Sequence, residues 1–131
     1  MRLEQILLLR SVLAMTLADT EIAAMDSKYT YWVKRPFMRD NTMLTFMPTP
    51  NHPSYPSEHA AIAGAGAAFL ETFFPQQRER WVALSREAAN SRIWSGIHFP
   101  MDAEQGLALG RAIAEKVLQD VSQTRQAAET R

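Results

Sequence analysis

The chain has 131 residues, of which 47% are apolar and 21% charged, and its 14 Lys and Arg are balanced by 14 Asp and Glu. That composition supports one globular core and excludes a disordered chain, and the zero formal charge excludes the strong overall field of a nucleic-acid binder. The absence of Cys excludes disulfides, thiolate nucleophiles and Cys-held metals.

From the N-terminus, Arg2 followed by Ile6–Leu9 imitates a signal peptide, but Glu4 precedes the apolar run and Arg10 interrupts it, so the segment reads as helix. Leu3 to Leu17 carries apolar residues at helical spacing in an unusually wide stripe, the pattern of a helix with neighbours on several sides. Such a stripe calls for partner helices upstream or in a second subunit. Asp19 and Thr20 are candidate caps for a second helix running to about Lys34, ended by Pro36. Between residues 36 and 56 stand Pro36, Pro48, Pro50, Pro53 and Pro56, a density that predicts a long functional loop.

Ser57 is a good N-cap for a helix through Phe73 whose body, Ala60 to Ala68, is rich in small residues suited to close packing. Pro75 suits the first turn of a fourth helix reaching about Arg92. Asp102 with Gln105 resembles a capping box opening a fifth helix through Val121. The polar stretch 123–131 is expected to fray. The expectation is one all-α domain over 1–131, a bundle of about five helices. The longest uncharged apolar-and-small run, Ala60–Leu70, is well short of the roughly 20 residues of a membrane span. No integral span is therefore expected, and without a convincing signal peptide the chain as it stands reads as soluble and cytoplasmic.

Three clusters carry chemistry. Lys28 and Arg35 stand seven apart, two helical turns, and can share a face that clamps an anion; taken alone they fit a solvated basic stripe better. Pro53-Ser-Tyr-Pro56-Ser57-Glu58-His59 opens a helix, where free N–H groups, the dipole and the Ser57 hydroxyl form an anion cradle, with His59 placed to give a proton. An ordinary cap with a surface His reads the same way. In Ser91-Arg92-Ile-Trp-Ser-Gly96-Ile-His98-Phe-Pro-Met-Asp102, Arg92 suits an oxyanion, and His98 with Asp102 suits a base and its orienting carboxylate. Asp102 alone fits a simple N-cap.

Together the blocks read K-x6-RP, PS-x-H and SR-x5-H-x3-D, in that order. This pattern resembles the signature of the type 2 phosphatidic acid phosphatase and vanadium haloperoxidase superfamily, over Lys28 to about Ala114. The resemblance implies that fold, with Lys28, Arg35 and Arg92 around an oxyanion and Ser57 and the amide of Glu58 cradling it. It implies His98 as the residue that becomes phosphohistidine or ligates vanadium, Asp102 as its orienting partner, and His59 as general acid. Two departures stand out. Glu58 occupies a position where the family usually has Gly, and the family usually has more helices ahead of the first motif.

The resemblance implies a phosphatase acting on a small-molecule phosphate ester without cofactor or metal. The same site would serve a haloperoxidase holding vanadate through His98, and a degenerate, non-catalytic anion-binding module is the third reading. Either a homo-oligomer or missing N-terminal helices would cover the first helix.

Overall fold

A single 29-residue helix, α1 (Leu3–Tyr31), stands where two were expected. The computed structural model describes residues 2–130. Thr20 does not cap a new helix, because it faces inward on the row Val12, Thr16, Thr20, Ala24 and Lys28, spaced by four, which α1 buries. Its hydroxyl donates back to the Thr16 carbonyl at 2.7 Å, as that of Thr16 does to Val12 at 2.8 Å, so both polar groups are satisfied inside the helix. On the other side Leu3, Leu7, Leu8, Met15 and Ile22 stay exposed.

The helix ends three residues short of Lys34. Trp32 turns left-handed (φ 49°) and its N–H donates to the Lys28 carbonyl at 3.0 Å. Lys28 and Arg35 therefore do not share a helical face; Arg35 lies in the extended link that follows, just before a short 3-10 turn at Pro36–Met38. The remaining helices are α2 (Glu58–Phe73), α3 (Arg78–Trp94) and α4 (Pro100–Glu129). Ser57 caps α2 as expected, its hydroxyl accepting from Ala60 N–H at 3.4 Å. Pro75 opens a single 3-10 turn, and α3 begins only at Arg78. The outcome, among the described residues, is an all-α bundle of four helices, not about five. Helix α4 continues through the stretch expected to fray as far as Glu129; residue 131 lies outside the described residues.

Small residues set the geometry. Ala60, Ala61, Gly64, Ala65, Ala67 and Ala68 of α2 are buried. Added methyl groups on Gly106 and Gly110 of α4 would collide with the carbonyls of Ser57 and Ala61. The α2 and α4 backbones are thus in direct contact, an approach that only glycine permits. Helix α3 closes one side through Ala89 and Ile93 against Ala60, Ala103 and Leu107, and α1 closes another with Leu17 on Ala65, Ala68 and Ala114. At one end this brings together the N-termini of α2 and α4, where Ser57 N–H donates to the Asp102 carbonyl at 2.9 Å.

A sharp test follows. Gly110→Ala should cost about 3 kcal/mol or more by urea unfolding, because a rigid backbone must move to admit the methyl. Gly66 has open space where its Cβ would stand, so Gly66→Ala should stabilise by about 0.4–1 kcal/mol. Equal effects at the two positions would refute the close seam.

Candidate functional site

The site begins in the first turn of α4. Pro100 lacks an N–H and has the dihedral of a first helical residue, so the helix starts two residues ahead of Asp102 and Phe99 is the N-cap. Asp102 is therefore not the N-cap. Its Oδ2 accepts the Phe99 N–H at 3.0 Å from the third helical position. The same oxygen accepts from His98 Nδ1 at 3.1 Å and from the Ser54 hydroxyl at 2.5 Å, while the buried Oδ1 has no partner among the described residues. Burial raises the pKa of Asp102, but the hydrogen bonds from His98, Ser54 and Phe99 outweigh it and hold the carboxyl below its usual range.

On the far side of the ring, His98 Nε2 lies 3.0 Å from Arg35 Nη1. A guanidinium can only donate, so Nε2 accepts and the proton sits on Nδ1, facing Asp102. Both contacts select one neutral tautomer, with Nε2 unprotonated and its lone pair turned to Arg35. Burial, followed by the charges of Arg35 and Lys28, keeps the His98 pKa below its ordinary value against the pull of Asp102.

Arg35 is itself buried and joins three segments. Nε donates to the His52 carbonyl at 2.9 Å, Nη1 to the Ile97 carbonyl at 2.8 Å, and Nη2 lies 3.2 Å from His52 Nδ1. The other ring nitrogen of His52 lies 3.8 Å from Glu58 Oε2, an ion-pair distance longer than a hydrogen bond. Glu58 thus points to His52.

Lys28, also fully buried, donates to the carbonyls of Pro53 (2.9 Å), Ser54 (3.2 Å) and Pro56 (2.6 Å). All three ammonium protons serve backbone carbonyls of the proline-rich loop. Burial and the neighbouring Arg35 lower its pKa to about 8, so it remains charged at neutral pH.

Lys28, Arg35, Ser57, His98 and Asp102 therefore come together from four segments. Two expected residues do not join them. His59, in the first turn of α2, is exposed and makes no hydrogen bond to the cluster. Arg92, in the last turn of α3, is half-buried, with Nε on the Ser91 hydroxyl at 3.0 Å and Nη1 on Met47 Sδ at 3.6 Å. Sequence reasoning missed Ser54 and His52. For His52 a signal existed, as one of only three histidines in the chain; a serine in a proline-rich loop gives none.

The shifted groups fix an acid response. His98 and His52, whose pKa values are lowered from 6.5, bind protons in the unfolded chain before they do so in the fold. Stability falls as pH drops below about 6.5. The depressed Asp102 adds a second loss as pH falls through and below its ordinary 3.8. The melting temperature should decline from about pH 6.5 downward, and His98→Gln should flatten the upper part of that decline. A flat profile between pH 6.5 and 5 in the parent protein would contradict the neutral, buried imidazole.

The PAP2 superfamily model matches residues 7–125. The chain is 36% identical over 91 residues to an undecaprenyl-diphosphatase of Sulfolobus acidocaldarius, covering 67% of this chain and 43% of that protein. Its fold resembles a bacterial vanadium-dependent iodoperoxidase (TM-score 0.77, 24% identity, 86% of this chain, 32% of the other). It also resembles LpxE of Aquifex aeolicus (TM-score 0.71, 22% identity, 82% of this chain, 66% of the other). The chain thus spans less than half the length of the curated relative and about a third of the iodoperoxidase. No described helix is long and apolar enough to cross a membrane.

Proposed function

Since the chain belongs to the PAP2 superfamily, we propose that it is a phosphatase hydrolysing a small-molecule phosphate ester through a phosphohistidine on His98. The observation that carries this reading is the buried series Asp102–His98–Arg35, which leaves one imidazole nitrogen unprotonated beside a fixed cation.

In the proposed reaction the phosphoryl group displaces Arg35 from the Nε2 lone pair, and the guanidinium moves onto the phosphoryl oxygens. Nε2 forms a bond to phosphorus as the ester P–O bond breaks. The positive charge that develops on the ring is held by Asp102 through Nδ1–H. The N-terminus of α2, capped by Ser57 and joined to the first turn of α4 through Ser57 N–H on the Asp102 carbonyl, adds a dipole that favours the dianion. Arg92 supplies a further cation once it leaves Met47. His59, on the solvent side, gives its proton to the departing oxygen and then takes one from the water that releases inorganic phosphate. Lys28 acts through the loop, because its three protons hold the backbone that carries Ser54, Pro56 and Ser57. No cofactor enters this scheme.

Hydrolysis of a chromogenic phosphate ester, with and without vanadate, tests the reading. Vanadate copies the phosphoryl geometry and should inhibit, and acid-labile phosphate should be trapped on the protein. Absence of hydrolysis, with halide oxidation that requires vanadate and peroxide, would move the site to peroxidase chemistry.

A further inference from the structure

A cavity of about 400 Å³ opens beside Arg35 and His52, walled by Tyr29, Trp32, Phe37 and Met38. In that wall Trp32 is 67% exposed and Phe37 42%, so the cavity is bounded by large apolar side chains. Trp32 also holds a left-handed backbone (φ 49°), a conformation unfavourable for a bulky residue. Its ring meets that of Tyr29 edge to face, with centroids 5.3 Å apart, so the wall is set by packing. Arg35 is the shared boundary: one guanidinium nitrogen reaches His98 and the other reaches His52 in the cavity lining.

We propose that this cavity is the subsite for the organic group of the substrate, and that the substrate is a phosphate ester carrying a compact apolar or aromatic group. The inference rests on the phosphatase reading. With phosphorus at His98 and its oxygens on Arg35, the ester substituent crosses Arg35 into the aromatic box. The cation at the floor matches the phosphate and the rings match the apolar part, a pairing that a polar sugar or a bare phosphate would not exploit.

Calorimetric binding of phenylphosphonate and methylphosphonate, neither of which is hydrolysed, tests this on the intact chain. Phenylphosphonate should bind about tenfold more tightly, and Trp32→Gly should erase the difference while leaving methylphosphonate unchanged. Glycine suits the left-handed backbone, so the variant removes the ring without straining the fold; circular dichroism and a thermal melt check that it folds. Equal affinities in the parent protein would overturn the subsite and leave the oxyanion site standing. A phenyl preference that survives in Trp32→Gly would overturn its placement. Failure of both phosphonates to bind would overturn the oxyanion reading, and the subsite with it.

Discussion

His98→Ala should lower kcat by about 10⁴–10⁶-fold and abolish trapped phosphate, the scale seen when a covalent nucleophile is deleted from an enzyme that keeps its binding groups. The ring stands between a carboxylate at 3.1 Å and a guanidinium at 3.0 Å, both within hydrogen-bond distance, whereas His52 has its guanidinium at 3.2 Å but its carboxylate only at 3.8 Å. Asp102→Asn should cost about 10⁴-fold for a different reason: the ring would remain, but without the acceptor that fixes its tautomer. It should also destabilise the fold. Oδ2 accepts three donors at once, and whichever way an asparagine amide turns, it cannot reproduce that buried carboxylate. The sequence reading treats Asp102 as a possible N-cap, at which Asn would be neutral. Its place in the third helical position removes that expectation. Wild-type turnover in His98→Ala would dismiss the nucleophile assignment outright.

Lys28→Met should destabilise the protein by about 3–5 kcal/mol, since three carbonyls, two of them buried and one half-buried, lose their donor and each stranded acceptor costs about 1–3 kcal/mol, less what the loop regains by opening to water. The carbonyls belong to Pro53, Ser54 and Pro56. This segment supplies the Ser54 hydroxyl to Asp102, so activity should fall with stability. Lys28→Arg should not rescue, because a planar fork cannot place three protons on carbonyls that converge on one point. Urea unfolding measures the effect. A loss below about 1 kcal/mol would mean that the loop holds itself.

What the sequence made legible was local. Proline and serine punctuation located α2, the long loop and the break before α3, and the three spaced blocks located His98, Asp102, Arg35 and Lys28. The uninterrupted α1 was hidden because Thr20 reads equally as a cap or as an inward residue bonded to its own helix, and only packing against α2 and α4 decides. The roles of the cations were hidden for a similar reason. Lys28 and Arg35 donate mostly to backbone carbonyls, one of them 62 residues away, and a carbonyl leaves no mark in a residue pattern. Nor does the pattern show that the Glu58 carboxylate lies 3.8 Å from a ring nitrogen of His52.

The glycine-lined contact between α2 and α4 divides the molecule by timescale. Two helices whose backbones touch have no side-chain layer through which to loosen, so they can separate only by wholesale unfolding. The segment from Arg39 to Asn51 is anchored differently, with Leu44 and Phe46 more than nine-tenths exposed and Phe46 N–H on the Ser95 carbonyl. Amide hydrogens facing the seam should exchange last and those of this segment first. Asp102, rooted in the slow part, and the residues around Met47, carried by the fast part, would then keep separate clocks. The segment can open and close many times while the carboxylate that aims His98 does not move.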